Sequence, residues 1–84
     1  MATPVIVRNG ENGANYINDT GDNTGEWNAV YCCEDTVFAA NCVNNISNFS
    51  ALVTDATVFA QGQTIYARWT TIDLASGAVI AYKK

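Results

Sequence analysis

Residues 64–73 constrain the fold more than any other part of the chain. They are rich in β-branched and aromatic residues and contain no proline, which is the composition of a β-strand. The side chains alternate, so that Ile65 and Trp69 share one face while Tyr66 and Arg68 share the other. Because a lone strand cannot satisfy its backbone, at least one further strand must pair with this one.

The residues that follow predict that partner strand. Residues 74–77 form a turn signal in which Gly77 can adopt positive φ, and residues 78–82 return as an apolar run ending in Tyr82. We therefore expect a C-terminal β-hairpin.

Further strands are indicated before this hairpin. Trp27, Ala29 and Tyr31 alternate with their neighbours at the two-residue period of a strand, which places them on one face. Residues 36–40 predict another strand, although residues 36–42 are also the only segment where a short helix could form. No helical period extends over three turns. The expected fold class is all-β, a compact small sandwich or barrel.

The first 25 residues differ in composition from the rest. Asn, Gly, Asp and Thr dominate them, and these residues favour turns. The apolar run Val5, Ile6 and Val7 is too short to bury itself, so it must pair with the domain's own sheet or with a neighbour's. We expect residues 1–25 to form an extended N-terminal arm and residues 26–84 to form the β domain.

The length and the cysteines favour association. A domain of 84 residues buries only roughly 60% of its unfolded surface, and small folds commonly add a disulfide, a metal or a partner. Cys32, Cys33 and Cys42 make an odd count without a CxxC motif, and the chain has no histidine. A bridge from Cys32 or Cys33 to Cys42 stays open, but no metal or other cofactor is expected. A partner surface remains as the expected source of stability.

Charge and hydropathy exclude several classes of partner. The formal net charge is −4, and the four basic residues form no patch of the kind that binds phosphates, so nucleic acid is not expected. No apolar run approaches the roughly 20 residues that cross a bilayer, so no membrane is expected. The N-terminus lacks an export signal, which indicates assembly in a cytoplasm.

Two motifs in the N-terminal segment could carry chemistry. Asp19-Thr20-Gly21 matches the catalytic triplet of aspartic proteases, but it lacks the flanking apolar strands that would shield a pair of carboxylates. Residues 18–26 concentrate oxygen ligands for Ca²⁺, although Gly21 breaks the EF-hand spacing. Without histidine, a nucleophile also lacks its usual base. A polar turn is the favoured interpretation, and the protein is expected not to be an enzyme.

Aromatic side chains could alternatively form a platform for a sugar or a peptide. Trp27, Trp69, Tyr66 and Tyr82 are the candidates. Their alternation along strands favours core packing and interface contact over a ligand site.

Three stretches match one pattern of strand and turn residues. They are residues 24–27 (Thr-Gly-Glu-Trp), residues 34–38 (Glu-Asp-Thr-Val-Phe) and residues 63–82, where an aromatic-Thr-x-Ile-x-Leu strand turns through Ser-Gly into Val-Ile-Ala-Tyr. The pattern resembles that of small virion proteins of tailed bacteriophages. The resemblance implies a structural role, above all that of a capsid decoration (cement) protein.

Such a protein would bind the outer shell as a homo-oligomer, preferably a trimer, and stabilise it. Its partners would be its own copies and the major capsid protein, on the capsid surface of a virion assembled in the host cytoplasm. A head-fibre or tail-associated module is the alternative, and a carbohydrate-binding module or an aspartic protease dimer is less favoured. The residues expected to bind partners are Val5, Ile6, Val7, Tyr66, Arg68 and Tyr82.

Overall fold

Six strands and one short helix make up the part of the chain that the computed structural model describes, residues 12–84. The expected all-β fold class is confirmed, since the strands form one antiparallel sheet. The elements are β1 (Ala14–Ile17), β2 (Asp22–Cys32), β3 (Val37–Phe38), β4 (Val43–Asn44), α1 (Phe49–Thr54), β5 (Thr64–Ser76) and β6 (Val79–Lys83).

The order of strands in the sheet is β1, β6, β2, β5, β3, and β4 also pairs with β5. β5 and β6 occupy the two segments that the sequence predicts as strands, but they are not neighbours. Each pairs with β2, one on either side of it. The predicted C-terminal β-hairpin is therefore wrong, because β2 takes the position between its two arms.

This arrangement requires a strongly coiled sheet. β5 leaves β2 at Asp73, opposite Asp22, whereas β6 begins at Val79, opposite Cys32. Six residues span at most about 20 Å, yet the ten steps from Asp22 to Cys32 along a straight strand would span about 33 Å. Register shifts on either side of Trp27 mark bulges, which increase bend and twist. The coiled single sheet corresponds to the barrel alternative in an open form.

Gly77 makes the return from β5 to β6 possible. Its φ is +98°, and a Cβ placed on it would lie 2.5 Å from Thr36 Oγ1 and 2.6 Å from the carbonyl oxygen of Asp35. The chain then enters β6, where the carbonyl of Ala78 accepts a hydrogen bond from the amide of Cys33 at 2.9 Å. Only glycine fits both the backbone angle and the close approach.

The core is built on the concave face of the coiled sheet. Phe38 and Trp69 lie at its centre with ring centroids 5.2 Å apart, and Phe49 and Phe59 contact Phe38 edge-on. These contacts bring residues from β3, α1 and the loop before β5 onto one apolar cluster. The buried apolar residues of this cluster are Ile17, Trp27, Val30, Cys32, Phe38, Trp69, Ile72, Leu74, Val79 and Ala81.

The single helix lies outside the segment where one was considered. Residues 36–42 contain β3, whereas α1 begins after Asn48, which has a left-handed φ of 62°. Six residues make too few turns to show a periodic pattern, and no side chain caps the helix start. No helix among the described residues is long and apolar enough to cross a membrane.

The described part of the predicted arm belongs to the sheet. Ala14–Ile17 pairs with β6, and residues 22–25 begin β2, so the boundary expected at residue 25 does not separate arm from domain there. Turn-forming residues dominate this segment because they surround a short strand at the sheet edge rather than an arm. Val5, Ile6 and Val7 lie outside the described residues.

Candidate functional site: a tyrosine face on the outer side of the sheet

A bulge in β2 decides which aromatic side chains face outward. Trp27 pairs with Lys83 and Ala29 pairs with Tyr82, so one step on β6 corresponds to two steps on β2. Lys83 and Tyr82 are successive residues of β6 and point to opposite faces of the sheet. Their partners Trp27 and Ala29 therefore also point to opposite faces. Trp27 turns into the core, which corrects the expectation that it shares a face with Ala29 and Tyr31.

All four tyrosines of the chain lie on the outer face of the sheet. Directly paired residues project to the same side, and the register places them in two rows across four neighbouring strands. In the order β1, β6, β2, β5, the first row is Ala14, Tyr82, Ala29 and Tyr66, and the second row is Tyr16, Ile80, Tyr31 and Thr64.

The tyrosines alternate between these rows from strand to strand. Reading across the sheet, they form a zigzag of Tyr16, Tyr82, Tyr31 and Tyr66, each diagonal to the next. Diagonal neighbours in a sheet are about 7–8 Å apart, which is within reach of aromatic side chains. We call these four residues the tyrosine face.

Ala29 lies in the middle of the first row, between two tyrosines. It projects to the outer side, yet it is completely buried. Its two direct neighbours in the row are Tyr66 and Tyr82. A methyl group on the outer side of a sheet is covered when larger groups lie over it, and the rings of Tyr66 and Tyr82 are the large side chains on either side of Ala29 in that row.

The tyrosine face remains accessible and carries no carboxylate. Tyr16 and Tyr66 are exposed, and Tyr31 and Tyr82 are half-buried. Neither row contains Asp or Glu, although the chain has eight acidic residues. The exposed Arg68 follows Tyr66 two residues along β5 and therefore borders the face.

The structure brings part of the predicted partner site together. Tyr66 and Tyr82 flank Ala29, and Arg68 lies beside Tyr66, while Val5, Ile6 and Val7 fall outside the described residues. The role of these six residues in partner binding stays a prediction. Of the aromatic platform that the sequence suggested, Trp27 and Trp69 are buried in the core and cannot contribute.

Sequence reasoning missed Tyr16 and Tyr31 as members of the face. Tyr16 falls in the segment that the sequence predicts as an arm, and simple alternation puts Tyr31 on the same face as Trp27. One sequence signal could have identified them. Each lies two residues after an alanine, Tyr16 after Ala14 and Tyr31 after Ala29, and a small residue on the same face leaves room for rings on the neighbouring strands.

The open edge of β1 is the second candidate contact surface. The amide of Lys83 donates to the carbonyl of Gly13 at 2.9 Å, which makes Gly13 a bonded position of the ladder. By the antiparallel alternation, Asn15 also faces β6, whereas the backbone groups of Ala14 and Tyr16 face away. No strand among residues 12–84 pairs with that side, and β1 carries no charge, proline or bulge to protect it.

Side-chain hydrogen bonds hold the acidic turn between β1 and β2. Asp19 is exposed, and its carboxylate accepts a hydrogen bond from the side-chain amide of Asn23 at 3.1 Å. The same amide donates to the carbonyl of Gly21, which closes the turn. Within residues 12–84, no three Cys, Asp or Glu side chains come together in a group that could hold a metal ion.

The three cysteines are free thiols in different environments. Cys32 is buried and Cys33 is half-buried, as expected for adjacent residues on opposite faces. The thiol of Cys42 donates to the carbonyl of Asp73 at 3.1 Å. Burial raises the pKa of the Cys32 and Cys42 thiols above their ordinary 9.0, so neither thiol is activated as a nucleophile.

A cavity of about 260 Å³ lies beside α1. Its wall includes Cys42, Asn44 and Phe49, and the side-chain nitrogen of Asn44 is buried without a hydrogen-bond partner among the described residues. The volume falls below the roughly 300 Å³ where ligand pockets begin, and apolar side chains such as Ile46, Phe49 and Val53 form most of its wall.

The described residues therefore offer two candidate contact surfaces, the tyrosine face and the open edge of β1. Comparisons with protein-family models, with curated proteins and with solved structures found no match for this chain.

Proposed function

We propose that this chain is a structural virion protein, most specifically a capsid decoration protein that binds the outer shell as a homo-oligomer and stabilises it. The observation that carries the proposal is the outer edge of β1, where the backbone groups of Ala14 and Tyr16 face outward and no strand among residues 12–84 pairs with them. An edge of this kind accepts an added strand, since main-chain hydrogen bonds supply affinity without a pocket.

The strand that fits this edge is the run Val5, Ile6 and Val7 of a neighbouring copy. It is short and β-branched, and it lies close to β1 in sequence but is separated from it by turn residues. Passing the run from each copy to the next creates a head-to-tail contact, and head-to-tail contacts close into rings when the rotation allows. A closed ring of three copies is the preferred assembly.

A ring of this kind would hold a shell by many weak contacts rather than one tight site. Each copy would present the same contacts to neighbouring copies of the major capsid protein, and simultaneous engagement raises the overall affinity. The resemblance of residues 24–27, 34–38 and 63–82 to phage virion proteins supports this setting. Most of those residues fall on β2, β3, β5 and β6, which form the scaffold behind the edge.

One substitution tests the edge. Ala14→Pro removes the outward N–H of Ala14 without touching a hydrogen bond to β6, which is where an edge strand tolerates proline. Ala14→Thr is the matched control, because it enlarges the same side chain and keeps the N–H. We expect Ala14→Pro to be monomeric by native mass spectrometry and to lose shell binding by at least tenfold, while Ala14→Thr assembles and binds normally.

Deletion of residues 1–11 examines the other half of the contact. It should give the same monomer and the same loss of binding, with an unchanged far-ultraviolet circular dichroism spectrum. The proposal is overturned if Ala14→Pro and the deletion both assemble and decorate shells as the parent does. If only the deletion variant assembles and decorates shells, the claim that residues 5–7 supply the added strand is overturned, while the role of the β1 edge stands.

A further inference from the structure

The tyrosine face is too small to be a stable protein interface on its own. Its four strands span three strand spacings, about 14 Å, and its two rows lie about 7 Å apart. With the surrounding side chains it covers roughly 300 Å², whereas a stable protein contact buries about 800 Å² on each partner. Strand addition at β1 extends the sheet sideways and leaves this face uncovered.

The charges of the face narrow the chemistry of its occupant. Exposed aromatic rings that lie flat can stack on nucleobases, on other aromatic rings or on the apolar faces of sugar rings. Single-stranded nucleic acid also needs a basic groove that follows its backbone. Among residues 12–84, two cations lie next to the rows, Arg68 and Lys84, and Lys84 pairs with Glu26 at 3.6 Å. With so few cations beside the rows, the face suits a ligand that carries few or no phosphate groups.

We propose that the tyrosine face binds an extended oligosaccharide whose sugars are joined through equatorial bonds. Successive tyrosines of the zigzag advance by one strand spacing, about 4.8 Å, which is close to the length of one pyranose unit in an extended chain. Alternate sugars of such a chain turn over, as alternate tyrosines change rows. The chain would run across the strands from Tyr16 to Tyr66.

Each group on the face then has a distinct part in binding. The four rings contact the apolar faces of the sugars, and their phenol groups exchange hydrogen bonds with sugar hydroxyls. Arg68 donates hydrogen bonds at the Tyr66 end, where a carboxylate-bearing sugar would bind most tightly. The absence of Asp and Glu from both rows keeps the face compatible with neutral and acidic sugars.

The test uses four defined probes: cellohexaose and chitohexaose as extended chains, maltohexaose as a coiled chain with axial linkages, and a tyrosine-rich peptide. Binding to the full chain is followed by amide chemical shifts in NMR, since the buried Trp27 and Trp69 would report poorly by fluorescence. We expect at least one extended hexasaccharide to shift residues of β1, β6, β2 and β5, and maltohexaose to bind at least tenfold more weakly.

Variants separate ring stacking from other contacts. Tyr66→Ala should weaken binding at least tenfold, whereas Tyr66→Phe keeps the ring and should lose less than threefold. Val58→Ala is the control, because Val58 is 58% exposed and Tyr66 is 60% exposed, yet Val58 lies off the face. Unchanged thermal midpoints would show that the three variants remain folded.

The proposal is overturned if neither extended hexasaccharide binds, if Tyr66→Ala binds as the parent does, or if the peptide alone produces the shifts. Failure here is distinct from failure of the decoration role, because the deletion of residues 1–11 removes no residue of the two rows and should leave hexasaccharide binding unchanged. If the protein binds shells but binds no hexasaccharide, only the sugar-binding proposal for the tyrosine face is overturned.

Discussion

The substitution Gly77→Ala tests the tightest point of the fold, where the chain returns from β5 to β6. Two separate costs are expected. An alanine at a φ of +98° must adopt a left-handed backbone conformation, which costs about 1–2 kcal/mol. Its Cβ would also lie 2.6 Å from the carbonyl oxygen of Asp35 and 2.7 Å from the Cα of Thr36. These are backbone atoms, so the strand must shift, at a cost of about 1–3 kcal/mol.

Gly62→Ala separates the two costs. Gly62 has a similar φ of +91°, but a Cβ placed there meets nothing within 4 Å. It should therefore show the backbone cost alone, less the roughly 0.4–1 kcal/mol that both variants regain from a stiffer unfolded chain. The free energy of unfolding should thus fall by about 1–3 kcal/mol more in Gly77→Ala than in Gly62→Ala.

Urea denaturation measures this difference directly. Trp27 and Trp69 are buried, so their fluorescence reports unfolding. With a slope near 1 kcal/mol per molar urea for a small domain, the two midpoints should differ by about 1–3 M. Since a chain of this length is stable by only about 4–12 kcal/mol, Gly77→Ala removes a large share of the total. Equal midpoints for the two variants would refute the close approach of Gly77 to the Asp35–Thr36 backbone.

Three further outcomes are expected. Phe38→Ala should lower the free energy of unfolding by about 3–5 kcal/mol, because Phe38 is fully buried among aromatic rings, whereas Val58→Ala should change it by less than about 0.5 kcal/mol in the same urea assay. Burial raises the pKa of the Cys42 thiol, so the folded state keeps the thiol proton to a higher pH than the unfolded state does. The contribution of this thiol to the free energy of unfolding is therefore complete below pH 9.0 and is lost as the pH rises above 9.0. Cys42→Ala should make the decline of stability shallower there, and parallel declines would contradict this. Ala56→Gly should raise the thermal midpoint by a few degrees, since Ala56 has a φ of 50° that glycine adopts without strain, and a lower midpoint would contradict it.

The strands could be predicted from the sequence, but their neighbours could not. The alternation from Ile65 to Trp69 correctly separates an inner from an outer face, because period-two patterning is a local property. The Ser-Gly turn suggests a hairpin for the same local reason. Whether a third strand inserts between two segments depends on how strongly each segment pairs with strands far away in the sequence. A short window of residues carries no information about those pairings.

The members of the tyrosine face illustrate the same limit within one strand. Tyr66 and Tyr82 could be predicted as outward residues, whereas simple alternation puts Tyr31 on the same face as the buried Trp27. One extra residue in β2 near Asn28 reverses the faces between them. A bulge has no reliable sequence signature, so a face that spans it can be assembled only from the pairing register.

Every strand pair recorded for residues 12–84 includes β5 or β6, the last two strands to be made. During synthesis, β1 to β4 therefore emerge from the ribosome without any of their sheet partners. At about 5–20 residues per second, residues 1–84 take roughly 4–17 s to synthesise, and the apolar strands stay unpaired for most of that time. The complete sheet can assemble only after β6 has been made, and a nascent chain that stops short of residue 79 leaves β1 with no partner strand in the described fold.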